Sequence, residues 1–483
     1  DFGEDKTILR KGPKADSAFE EGKPTKAAIG FAKSLNLNIN DLEVKDTKKG
    51  QFVFGRKIEK GFSTKELISS IIPKSIKLLQ GQRFMKWGSG NFKFSRPIRW
   101  ILSLYNDEIL NLSLKDIDSS LKIGNVSRGH RLFKSDIKIE NSREYFQLLA
   151  RNGVIVNRDE RKSKIVNLIK NASDKLKLSP DLDNKLLDEL TDLVESPNLV
   201  IGSFSNDYLT LPSEVLCTVM KSHQRYIPLF NKRKDINKLD INSKDILSTN
   251  FLCISNGLED SKELIKKGNE KVLKARFADA KFFIEADKNT TCFERNQNIK
   301  NISYLKGLGN LSDRVERILY IAKDINSYLK EDLLDLEIIK DACKYSKHDL
   351  CSEIVFEFPE LQGLMGGKYL NNEGFSKESS LAVSEHYLPR FYKDKLPSSK
   401  YGAVLSISDK LETLISIFAI GKRPTGSSDP FALRRNLNGI IQIIWHFNFD
   451  INLKNLINTS IKYWEKSQIN LQIDNEKIRN ELI

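Results

Sequence analysis

The chain has 483 residues, 40% hydrophobic and 29% charged, with 78 Lys/Arg against 64 Asp/Glu for a net charge of +14. At about 150 residues per domain there is room for roughly three domains, and the apolar content argues against intrinsic disorder. No run of about 18 apolar residues occurs, so no membrane-spanning helix is expected.

In chain order, residues 27–37 predict a helix and 51–58 a strand. Ser63-Thr64 followed by Glu66 predicts a helix start, with the helix running toward residue 80 and interrupted by Pro73. Ile98, Trp100, Leu102 and Leu104 alternate with Arg99, Ile101, Ser103 and Tyr105, a period-2 strand behind Pro97. Ser142 is a cap candidate, and 158–169 has helical spacing. Short strands are expected over 198–204 and 250–255, the second ended by Asn256-Gly257. Between them Pro212-Ser213-Glu214 opens a helix with Val215, Leu216, Val219, Met220 and His223 on one face. His223 there reads as a core residue. Residues 234–248, rich in Lys, Asp and Asn, suit a long surface loop.

Residues 260–287 give the clearest helix. Leu273, Phe277, Ala280 and Ile284 make one stripe, and Lys267, Lys271, Lys274 and Lys281 a second face flanked by Glu263 and Glu285. Those lysines fit a salt-bridged solvated face or an RNA contact. After about residue 290 strand signals nearly vanish. The expected fold class is α+β multidomain. A mixed α/β region covers 1–290, with a possible subdivision near 140. An all-α domain covers 291–446, and 447–483 begins a helical C-terminal region.

The basic excess is regional. Residues 67–106 contain no Asp or Glu, whereas 301–370 carry 9 Lys/Arg against 12 Asp/Glu. In the acid-free window Arg83, Lys86, Lys93 and Arg96 are interleaved with Phe84, Trp87, Phe92, Phe94 and Trp100. Cations neutralise phosphates and aromatics stack on unpaired bases, so the mixture suits RNA. It equally suits a small aromatic core under a cationic surface. Gly88-Ser89-Gly90 would let backbone approach a phosphate. Arg128, His130 and Arg131 form a second basic cluster, and Lys221 and Arg225 a third.

His348-Asp349, expected on a helix, is followed by His386 and Asp409. That spacing resembles metal-dependent phosphohydrolases of the HD class, whose divalent metal activates water. An earlier metal-binding His is missing between residues 224 and 347, so the cluster reads as degenerate. No phosphate loop, nucleophile elbow, HExxH or ATP-gripping motif occurs, so no self-contained active site is expected. In 357–367 Pro359 suits a helix's first turn, and the glycines suit a close helix crossing. In 425–435 Asp429 is expected to cap a helix with Pro430 at its first position, followed by Arg434 and Arg435. The cysteines at 217, 253, 292, 343 and 351 form no CxxC pair, and their odd number argues for a reducing, cytosolic setting.

Seven stretches together resemble one family. They are 84–96 (FMKWGSGNFKFSR), 128–133 (RGHRLF), 211–228 (LPSEVLCTVMKSHQRYIP), 268–287 (GNEKVLKARFADAKFFIEAD), 358–366 (FPELQGLMG), 385–390 (EHYLPR) and 424–435 (PTGSSDPFALRR). The chain is similar to the β subunit of the bacterial heterotetrameric glycyl-tRNA synthetase (glycine–tRNA ligase). The resemblance implies an α2β2 enzyme, cytoplasmic and not membrane-bound. Its α subunit forms glycyl-adenylate with ATP and Mg²⁺, and its β subunit binds tRNA(Gly) and itself holds no cofactor. It also implies a B3/B4-like N-terminal region and an HD-like helical domain. A short N-terminal piece and a C-terminal anticodon-binding domain are expected to lie outside this sequence. The expected tRNA contacts are Arg83, Lys86, Lys93, Arg96, Arg128, His130, Arg131, Lys221 and Arg225. The alternatives are an HD-type phosphohydrolase and a purely architectural subunit.

Overall fold

The computed structural model describes residues 6–59, 61–88, 90–114, 117–133, 135–231, 239, 246–329, 333–425 and 429–466. The chain divides into two compact units, Asp1–Asn157 and Arg158–Ile483. Most of the expected loop 234–248 lies outside the described residues. Among them no helix is long and apolar enough to cross a membrane. The architecture is mixed α and β with small sheets.

In the first unit, strand β1 (Lys6–Lys14), β2 (Leu42–Thr47) and β3 (Gly50–Glu59) form an antiparallel sheet with β3 central. Helix α1 (Lys26–Leu35) presents Ala28 to Val53 of β3 in a small core and stops where Asn36 turns left-handed. Ser63 and Glu66 form the capping box of α2 (Thr64–Leu78). The helix runs through buried Pro73 instead of breaking there, at the cost of the backbone bond that a proline cannot donate. The expected strand over 98–105 is split. Trp100–Leu102 runs parallel to Lys122–Gly124, while Leu104–Tyr105 folds back on Glu108–Ile109. Asn106, with φ of 57°, makes that reversal.

The second unit opens with α3 (Arg158–Leu176) and α4 (Asn184–Leu193). They cover one face of a four-stranded antiparallel sheet whose central strands are β4 (Ile227–Phe230) and β5 (Leu247–Ser255). Strand alternation explains the layering. Leu252 and Ile254 meet α3 and α4, whereas Phe251 and Cys253 join the larger core on the other face. That core takes in the buried stripe of α5 (Lys262–Asp287), namely Leu273, Phe277, Ala280 and Ile284. These are the four residues that the sequence periodicity singles out. The same core continues past residue 290 into the helical half of the unit.

There α6 (Leu311–Tyr328) and α7 (Leu336–Lys344) pack on α8 (Lys400–Ala419), which is flanked by α9 (Leu433–Phe447). Nearly every residue of α8 from Gly402 to Phe418 is buried, including Asp409, Lys410 and Glu412. A helix enclosed on all sides that still carries charges must find partners for them inside the fold.

Candidate functional site

Two groups of candidate residues emerge, and each is placed by its own unit. In the first unit, Met85–Lys86 pairs antiparallel with Lys93–Phe94, setting Lys86 directly opposite Lys93. Phe84, Phe92 and Phe94 pack on one another with ring centroids 5.2 and 6.2 Å apart, and Trp87 meets Phe92 edge-on at 5.6 Å. The aromatics thus form a half-buried miniature core, while Arg83, Lys86, Lys93 and Arg96 stand exposed above it. Lys86 Nζ bonds the Asn91 side chain at 2.6 Å. No carboxylate pairs with any of the four among the described residues. Like charges set opposite one another across two strands repel, so this hairpin carries a cost that an anionic partner would relieve.

The other basic candidates are differently placed. Arg128 lies across the strands from Asp136, 3.5 Å away, with its guanidinium over Trp100. Arg131 is exposed. His130 is only 1% exposed and is packed against Phe133, so it is not a surface group. In the second unit Lys221 is held by Asp181 and Asp183 at 3.1 and 2.9 Å. Arg225 is held by Glu189 at 2.6 Å and by the Ser222 carbonyl. His223 lies edge-on to Phe358 at 5.1 Å.

The second group is buried. His348 and Asp349 sit in a 3-10 turn, His348–Cys351, and not on the expected α-helix. Ser352 caps the next helix with its hydroxyl and so ends the turn. His348 bonds the Tyr345 carbonyl through Nδ1, and its Nε2 has no hydrogen-bond partner among the described residues. Asp349 anchors a loop: its Oδ2 accepts the N–H groups of Gly363 at 2.6 Å and Gly366 at 3.0 Å. The backbone at Gly363 favours glycine, and Gly366 lies close under the carboxylate. Gly363 has φ of +81°, and a Cβ on Gly366 would stand 3.1 Å from the Asp349 carboxyl carbon. The helix start expected in 425–435 behaves differently from expectation. Asp429 caps α9 by accepting from Leu433 and Arg434, but Pro430 lies outside the helix, which begins at Leu433.

Burial raises the Asp349 carboxyl to about 6, against the two glycine N–H groups that favour its charge. The unfolded carboxyl titrates near 3.8, so between about pH 4 and 6 the folded chain binds more protons than the unfolded one. Stability from this group is therefore greatest below that window and is lost as pH rises through it. Asp349→Asn keeps an acceptor and removes the charge, so it should flatten this part of the urea-midpoint-versus-pH curve. Asp349→Ala orphans both N–H groups and should cost about 1–3 kcal/mol at all pH values.

His386 and Asp409 are brought together by a residue that sequence reasoning missed. Lys347 Nζ lies 2.8 Å from His386 Nε2, 3.0 Å from the Tyr387 hydroxyl and 2.9 Å from Asp409 Oδ1. Lys347, His386 and Asp409 are buried, and Tyr387 is partly so. Burial lowers the Lys347 ammonium to about 8, against the pull of Asp409. Burial and the Lys347 charge push His386 well below its ordinary value, so the imidazole is neutral. Burial alone would raise Asp409, but Lys347 and Arg314 outweigh it and hold the carboxylate charged. Arg314 bonds Asp409 at 2.9 Å and Glu412 at 2.8 Å, and Arg317 bonds Glu412 at 3.0 Å. The signals were present in the sequence: Lys347 precedes the His-Asp pair, and Asp409 and Glu412 are one helical turn apart. Among the described residues, no three His, Cys, Asp or Glu side chains converge as a metal ion would require.

Comparison with known proteins places these features in a class, the subunits of aminoacyl-tRNA synthetases. The family model described as "Glycyl-tRNA synthetase beta subunit" matches residues 2–482, so the chain belongs to that family. It is 41% identical over 448 residues to the "Glycine--tRNA ligase beta subunit" of Trichodesmium erythraeum, covering 92% of this chain and 62% of the relative. The like-named protein of Acaryochloris marina is 37% identical over 477 residues, 99% of this chain and 66% of the relative. That of Bacillus subtilis is 36% identical over 451 residues, 92% and 64%. The chain thus spans less than two thirds of the length of these relatives.

Proposed function

We propose that the chain binds and positions tRNA(Gly) as the β subunit of an α2β2 glycine–tRNA ligase in the cytoplasm. The α subunit carries the chemistry on glycine and ATP with Mg²⁺. Catalysis by this chain is positional: it holds the tRNA body so that the 3′ end reaches the partner's active site. The observation that carries the reading is the opposed Lys86–Lys93 pair, without a carboxylate partner among the described residues, with Arg83 and Arg96 beside it, exposed over an aromatic base in a segment free of acids. Arg131 is proposed as a further contact. We take residues 1–290 as the B3/B4-like part and 291–446 as the HD-like part.

The test is glycine charging of tRNA by a matched α subunit, alone and with this chain, followed by gel retention of tRNA by the chain. Stimulated charging together with salt-sensitive retention is the expected result. An architectural subunit is favoured by the internal pairing of Lys221 and Arg225, and it would bind the α subunit tightly with no retention of tRNA. Retention absent at low salt sinks the tRNA-binding reading.

A further inference from the structure

We infer that Lys347 is a resident cation: its ammonium fills the position at which an HD-type site would hold a divalent metal, so this site is closed by the chain itself. The first argument is donor count. An ammonium has three N–H groups and no acceptor. Three acceptors converge on it at 2.8–3.0 Å, from His386, Tyr387 and Asp409. Two of these three, the neutral imidazole nitrogen and the carboxylate, are donors of the kind that also hold a metal.

The second argument is the orientation of His386. Its Nδ1 donates to the Val383 carbonyl at 2.6 Å, which leaves Nε2 as the acceptor facing Lys347. Metal-ligating histidines are fixed in this way, through a hydrogen bond from the other ring nitrogen to a carbonyl. The third is charge. Asp409, and Asp349 whose Oδ1 has no hydrogen-bond partner among the described residues, favour a cation at this point against the repulsion of Arg314, which shares Asp409 Oδ1 with the ammonium. A free metal ion has no room while the lysine is present, since its own bonds to N and O would be about 2.0–2.2 Å. This inference does not depend on the tRNA reading.

The experiment compares the full chain with Lys347→Ala, and with Lys347→Ala combined with His386→Ala. Each is dialysed against Zn²⁺ or Mn²⁺, desalted, assayed for bound metal and melted with and without the ion. The wild type should retain no metal through His386 and show no shift in Tm. Lys347→Ala should retain about one Zn²⁺ per chain and regain Tm on adding it, and the double variant should lose both responses. A folded Lys347→Ala chain that neither retains metal nor responds to it overturns the inference. So does stoichiometric metal on the wild type that His386→Ala removes. If Lys347→Ala folds only when refolded with Zn²⁺, the inference stands; failure under both conditions overturns it.

Discussion

Lys86→Glu should bind tRNA at least about tenfold more weakly while its fold becomes no less stable. The two effects separate because they arise from different partners. Across the hairpin Lys86 faces Lys93, and replacing one of two opposed like charges by its opposite turns repulsion into attraction. Toward RNA the same change removes one phosphate contact and adds a repelled charge. The slope of log affinity against log salt should therefore fall by about one. Replacing Arg83, Lys86, Lys93 and Arg96 together by Ala should remove about three units or more of that slope. Filter binding across a salt series measures it, and thermal melting gives the stability arm. A variant that melts earlier and binds tRNA unchanged would mean that the cations serve the fold and not a ligand.

Glu412→Ala should be among the most damaging single changes in the second unit. The Glu412 carboxylate is fully buried and accepts from Arg314, Arg317, Tyr304 and Ser416. Removing it strands the guanidinium of Arg317, only 3% exposed, and leaves Arg314 with Asp409 alone as its carboxylate among the described residues. Truncating one side of a buried ion pair costs about 3–5 kcal/mol, because the remaining charge stays desolvated. Against a total stability of about 5–15 kcal/mol that is a large fraction. Urea unfolding should show the midpoint falling sharply. A loss under about 1 kcal/mol would show that water reaches the arginines and that the network does not hold the helices together.

Much of the fold could be read from the sequence where one periodicity ruled. The stripe Leu273, Phe277, Ala280 and Ile284 is buried as its spacing demands, and Ser63 with Glu66 starts a helix as a capping box does. The reading failed where long-range partners decide. The left-handed turn at Asn106 splits the strand around Trp100, and α2 passes through Pro73 where the sequence predicts an interruption. The candidate site divides in the same way. Exposed cations over aromatics show in composition alone. His348, Asp349, His386 and Asp409 were legible as a set, but their division between a loop anchor and a lysine-centred cluster was not. That division depends on which oxygen meets which N–H across three helices. Lys347 could be picked out only by its place before His348-Asp349, because lysine is ordinarily solvent-facing and only burial makes its ammonium a structural ion.

The thiols have a consequence for how this chain ages and opens. All five cysteines are free, all lie beyond residue 157, and four are buried. Burial pushes the thiols of Cys217, Cys253, Cys292 and Cys343 upward, that of Cys253 to about 12, so almost no reactive thiolate exists while the unit is closed. Alkylation or oxidation of these four therefore proceeds only through moments of opening. The second unit carries its own clock for such events, with Cys351 as the early hand, and the first unit, having no cysteine, is silent to it.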